Sequence, residues 1–147
     1  MAKTLLDCML AIQDIVGRVE GIRSAPEFIT DKIPPGTFSL VFPDTGEYRA
    51  SGGVLEGYHN IGLYVFCPRG DLAKTLKAII PLGDKVAAAL ENEPRLLDTC
   101  NCFGTPGGIT YTFSFSMNVG KPEAPAYVTG WTFMLNNVKI HNEDSLA

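Results

Sequence analysis

A chain of 147 residues has room for one domain, and at that length folding withdraws roughly 70% of the unfolded chain's surface, enough for a hydrophobic core without staples. Apolar residues make up 46% and charged residues 19%, against about 25% charged in ordinary soluble domains, so part of the surface is expected to be covered by self-association or incorporation into an assembly. A net charge of −4 with no Lys/Arg cluster excludes an electrostatic footprint for sequence-specific nucleic-acid binding, while the same negative balance suits a channel wall past which a polyanion slides without sticking.

Residues 1–15 lack the apolar run and cleavage site of a secretory leader, and no stretch of about 18 consecutive apolar residues occurs, which predicts an intracellular chain without a membrane span. Residues 3–23 carry Leu5, Leu6, Met9, Ile12, Val16 and Val19 at helical spacing, with Lys3, Asp7, Gln13, Asp14, Arg18 and Glu20 between them. This predicts an amphipathic helix lying on a sheet, with Thr4 as N-cap, Asp7 completing a near capping box, and Gly21 in a left-handed C-terminal position.

Residues 24–35 include Pro26, Pro34 and Pro35 and read as an extended connector. Phe38, Leu40 and Phe42 then mark a short strand stopped by Pro43, and Asp44-Thr45-Gly46 is turn chemistry. The stretch 47–60, with Ser51-Gly52-Gly53 and Gly57, is a glycine-rich excursion: an extended hairpin arm or a mobile loop. Residues 61–67 are apolar at nearly every position, as in a central strand covered on both faces, and lead through a Pro68-Arg69-Gly70-Asp71 corner into a helical segment over 72–90. Asp71 is its expected N-cap, and Pro81 predicts a kink or the start of a second helix.

Glu91-Asn92-Glu93-Pro94 closes the helix, and residues 100–108 form a loop. From Ile109 the pattern is strictly alternating: Ile109, Tyr111, Phe113, Phe115, Met117 and Val119 on one face, Thr110, Thr112, Ser114, Ser116 and Asn118 on the other. The aromatic face is expected in the core. Residues 127–140 give a last strand, with Trp131, Phe133 and Leu135 inward and a bulge at Asn136-Asn137 returning Val138 and Ile140 to the core side. The last two strands should form a long antiparallel hairpin, followed by a polar tail over 141–147. The fold class is therefore α+β in a single domain: a mostly antiparallel β-sheet with an N-terminal helix and a central Pro-interrupted helix packed on one face.

Chemistry is sparse. Cys100-Asn101-Cys102 with Cys67 and His59 lacks the usual zinc-ligand spacing, so no metal is expected, and Cys8, Cys67, Cys100 and Cys102 are read as free thiols. Neither His59 nor His141 is placed to activate a cysteine. Gly104-Thr105-Pro106-Gly107-Gly108 leads into a strand and has no Lys-Ser/Thr end, so it is not a phosphate loop. Asp44, Glu47 and Glu56 are explained by a solvated loop, and the strand aromatics lack the interleaved cations of a base-stacking platform. The expectation is a non-enzyme with no cofactor.

The order of elements resembles the tail terminator proteins of long-tailed bacteriophages: a leading amphipathic helix, Ile33-Pro34-Pro35 before the strand at 38–42, the glycine-rich excursion, Leu63-Tyr64-Val65-Phe66 feeding a helix that contains Ile80-Pro81-Leu82, and the final hairpin. The resemblance implies a structural virion protein at the neck end of the tail, assembled in the host cytoplasm. It implies a homo-oligomeric ring, hexameric in that family, that caps the tail tube protein, ends polymerisation, docks a neck or head-completion protein, and leaves a channel for genome DNA. The alternatives are another head–tail joining or minor tail protein of the same virion, and a small-molecule-binding α+β domain. Loops on a rigid sheet are where assembly partners usually bind. The candidate assembly contacts are therefore Asp44, Glu47, Tyr48, Arg49, Glu56 and Tyr58 of the excursion, with Thr105 and Pro106 of the later loop.

Overall fold

The computed structural model describes residues 4–26, 34–97, 99–100 and 108–142. Thr4 opens the first helix, α1 (Leu5–Gly17), with extended backbone and a hydroxyl that accepts from the Asp7 N–H at 3.1 Å. The Asp7 carboxylate sits in the first turn, where the helix dipole favours it. Cys8, Ile12, Ile15 and Val16 form the buried stripe. The helix ends at Gly17, short of the residue 23 expected from periodicity, because the chain turns back there: a side chain at position 17 would sit 3.1 Å from the Ala25 Cβ. Gly21 does adopt the expected positive φ, in the turns that follow.

β1 (Phe38–Ser51) runs straight through Pro43, contrary to the expected stop, and pairs antiparallel with β2 (Val54–Pro68). Pro43 is tolerated because β1 is an edge strand, and the register shifts between Pro43 and Gly46. The glycine-rich excursion is the hairpin arm: Gly52 and Gly53, both at positive φ (60° and 82°), form a two-residue turn of the kind whose twist matches the strands.

Asp71 caps α2 (Leu72–Glu91), its carboxylate accepting from the N–H groups of Ala73 at 3.1 Å and Lys74 at 3.4 Å. The helix continues through Pro81 without restarting. After it, Leu96 and Leu97 both take left-handed backbone conformations (φ 47° and 56°), which brings Leu96 fully into the core. β3 (Ile109–Asn118) and β4 (Tyr127–Asn142) form the expected hairpin, with β4 reaching past the predicted start of the tail. The Asn118 side chain closes the intervening turn by accepting from the N–H groups of Gly120 and Ala126.

The four strands lie in the order β1-β2-β4-β3, all antiparallel. Opposite the single residue Asn60 in β2 stand Asn136 and Asn137 in β4, the bulge the sequence predicts, with the Asn137 N–H donating to the Asn60 side chain at 3.0 Å. Both helices cover one face: Ile12, Val16, Ile79, Val86 and Leu90 meet Ile61, Leu63, Val65, Phe133, Leu135 and Val138. On the other face Phe38, Leu40, Phe66 and Val128 form a second buried cluster, continued by Tyr64 stacked at 5.0 Å on Phe66. The chain is thus α+β with a Pro-containing central helix, as its pattern implies.

Candidate assembly surfaces

The β1–β2 register decides where the arm's polar residues point. Glu47 opposes Tyr58, Arg49 opposes Glu56, and Tyr58 opposes Lys139 of β4, so these side chains share one face. Arg49 pairs with Glu47 and lies over the Tyr58 ring at 4.5 Å, while the Tyr58 hydroxyl donates to Glu56 at 2.8 Å and Lys139 stands 3.8 Å from the same carboxylate. The hydrogen bond and charge of Glu47 raise the Arg49 pKa further. This face is a ladder of alternating charge around a tyrosine. Such exposed pairs contribute little to stability, but they define a patterned surface.

Four of the candidate contacts, Glu47, Arg49, Glu56 and Tyr58, are brought together there. Asp44 is exposed at the register shift, and Tyr48 falls on the opposite face, edge-on to His59 at 5.2 Å. Thr105 and Pro106 lie outside the described residues.

The other end of the sheet carries a surface that the sequence reading places in the core. β3 is the far edge strand, and of its residues Ile109 and Phe113 pack against the helix-side core. Phe133 is buried as expected, and Phe113 and Trp131 are partly buried, but Tyr111 is 65% exposed and Phe115 61%. The predicted alternation breaks at the register shift between Ser114 and Met117, which turns Met117 and Val119 to the other face, against Phe66 and Val128; and alternation, where it holds, identifies a face without saying whether anything lies on it. Trp131 is the hub, with Tyr111 and Phe113 edge-on at 4.9 and 5.0 Å and Phe133 stacked at 5.5 Å. Ile80, on the exposed side of α2, is 49% exposed.

β3 contains no charged residue and no proline, and among the described residues no strand pairs with its outer side. Long uncharged edges of this kind are the ones that recruit another chain. β1 is the contrary case: Pro43 and the charges of the arm blunt it, and near its start the Ser39 N–H is taken by the Ser24 carbonyl at 2.9 Å.

Between the arm and the start of α1 lies a recess of about 230 Å³ lined by Thr4, Leu5, Tyr48, Leu55, Gly57, His59 and Ile140. Burial lowers the His59 pKa below its ordinary value, favouring the neutral ring. Among the described residues no cluster of three His, Cys, Asp or Glu side chains can hold a metal ion, and no helix is long and apolar enough to cross a membrane. Cys8 and Cys67 are free thiols, and Cys8 and Cys100 are buried; a hydrogen bond from Cys100 draws the Cys8 pKa down, against the opposing effect of burial. Cys102 lies outside the described residues.

Compared with known protein families and with curated proteins, the chain matches no family model and no curated protein.

Proposed function

We propose that the chain is the subunit of a closed homo-oligomeric ring, acting as a tail terminator: the ring caps the phage tail tube, ends its polymerisation and joins it to the neck. The observation that carries this reading is the inequality of the two sheet edges, a charged hairpin arm at β1 and an uncharged aromatic edge at β3. Two different surfaces on opposite sides of one subunit suit a head-to-tail contact, which closes into a ring when the rotation per subunit divides the circle. The hexamer count comes from the family resemblance alone. A structural role needs no catalytic group, and the genome would pass through the channel without sequence-specific contact.

Multi-angle light scattering and negative-stain microscopy test this directly. Rings, alone or on addition of tail tube subunits, are the expected result. A strictly monomeric chain that neither binds tube ends nor limits tube length would overturn the reading. Rings that bind a neck or capsid partner but leave tube length unregulated would move it to another head–tail joining position.

A further inference from the structure

His59 is 7% exposed, yet neither ring nitrogen has a hydrogen-bond partner among the described residues; its ring lies against Gly46 and Gly57 and stands roughly perpendicular to the Tyr48 ring at 5.2 Å. Buried polar side chains are normally satisfied, so an unpartnered one is an observation that calls for a reason. The ring lines the recess between the arm and α1. Gly57 makes room for it, since a Cβ there would fall 2.3 Å from His59 Nε2.

Across the recess stands the N-terminus of α1, where Thr4 and Leu5 form the wall. The Asp7 N–H is satisfied by the Thr4 hydroxyl, whereas first-turn N–H groups at Leu5 and Leu6 have no intrahelical acceptor. These donors and the dipole favour an anion beside the Asp7 carboxylate already in this turn, and among the described residues no side chain lining the recess is charged. The rest of the lining is apolar: Leu5, Leu55, Ile140 and the Tyr48 ring.

We propose that this recess binds a carboxylate carried on a short branched apolar group, the carboxylate held between the His59 ring and the α1 N-terminus and the apolar group seated among Leu5, Leu55 and Ile140. The inference stands apart from the ring reading and holds for a monomer. With both nitrogens uncommitted, the imidazole tautomer follows the ligand and presents its N–H to the carboxylate. Two sources offer this chemistry: a free short-chain carboxylic acid, and the C-terminal residue of a peptide chain.

The test is a titration of the isotopically labelled full chain with 3-methylbutanoate, followed by the ring signals of His59 and the amides of Leu5 and Leu6. The expected result is saturable shifts with Kd on the order of 1 mM, in keeping with so small a ligand. The matched alcohol, 3-methylbutan-1-ol, should bind about tenfold more weakly, because it lacks the charge-assisted hydrogen bonds. Unsaturable shifts, shifts that spare His59, or equal binding of acid and alcohol would overturn the proposal without any variant having to fold. His59→Phe should reduce the preference for the acid, leaving only the share held by the α1 N-terminus, and an undiminished preference would also overturn the assignment. Acetyl-Gly-Val as free acid and as amide separates the sources: tighter binding of the peptide acid than of 3-methylbutanoate, with none of the amide, assigns a chain end, whereas binding of 3-methylbutanoate alone assigns a free acid.

Discussion

The indole Nε1 of Trp131 donates to the Ile79 carbonyl at 2.8 Å, tying the middle of α2 to β4 two residues before Pro81. The approach is possible only because position 83 is glycine: a Cβ there would lie 2.5 Å from the indole ring. An exposed helical Gly→Ala change normally gains about 1 kcal/mol from helix propensity. Here the clash opposes it, and displacing a packed indole costs about 1–3 kcal/mol. Gly83→Ala is therefore expected to be destabilising, and Trp131→Phe to cost about 1–3 kcal/mol through the lost hydrogen bond and lost packing. Urea midpoints at constant m-value check both.

A second expectation concerns strain. Leu97 holds φ 56° while 37% exposed, and Leu96 holds φ 47° while fully buried. Relieving a left-handed non-glycine residue returns about 1–2 kcal/mol, and the extra freedom of glycine in the unfolded chain takes back about 0.4–1 kcal/mol. Leu97→Gly also gives up a part-buried side chain, which offsets the remainder, so the change should be close to neutral. Leu96→Gly should instead destabilise, because losing a buried leucine costs about 2–5 kcal/mol, more than the strain returned. Thermal and urea unfolding should show a near-neutral Leu97 variant beside a clearly destabilised Leu96 variant.

Much of this architecture was legible before any coordinates. The caps Thr4 and Asp71, the buried run through Ile61, Leu63 and Val65, and the bulge at Asn136-Asn137 all follow from local rules, because each depends on residues close in the chain. What escaped depends on position in the sheet. Pro43 reads as a stop, yet an edge strand has no ladder partner waiting for its N–H. Tyr111 and Phe115 read as core, yet they lie exposed on the edge strand, where only Ile109 and Phe113 reach the helix-side core. Gln13 reads as a polar spacer on α1, but it is buried and satisfied by Ser39, donating to the Ser39 carbonyl and accepting from its hydroxyl, each at 2.9 Å. A lone Gln in a helical sequence gives no hint of a strand that supplies both a carbonyl and a hydroxyl. Of the candidate contacts, Glu47, Arg49, Glu56 and Tyr58 share a face because the hairpin register pairs them, which a reading of the stretch as arm or loop does not supply.

Acid should weaken the fold through His59. Its pKa is lowered in the native state by burial, from an ordinary value of 6.5, so the unfolded chain binds the proton more readily than the folded one. Stability from this group is therefore fully present above pH 6.5 and is lost as pH falls through the depressed native value. His59→Gln should flatten the decline between neutral pH and the onset of carboxylate titration. Urea midpoints measured across that interval would contradict this if the variant and the parent chain fell in parallel.

The β3 edge supplies the last expectation. Replacing Tyr111 and Phe115 with lysine places charge where both native side chains are largely in solvent, so the monomer fold should lose only the ring contacts with Trp131 and Phe113, about 0.5–1.5 kcal/mol from each change. The effect on association should be far larger. Edge lysines are what natural sheets use to prevent strand addition, and desolvating two ammonium groups in a contact is strongly unfavourable. The double variant should sediment as a monomer with unchanged circular dichroism, while the parent chain forms rings at the same concentration. Arg49→Glu on the arm turns its pair with Glu47 into a like-charge contact and serves as the complementary lesion. Head-to-tail closure needs both edges of every subunit, so mixing the two variants could cap short oligomers but not restore rings. Rings formed by the β3 double variant would mean that the aromatic edge is not the self-contact.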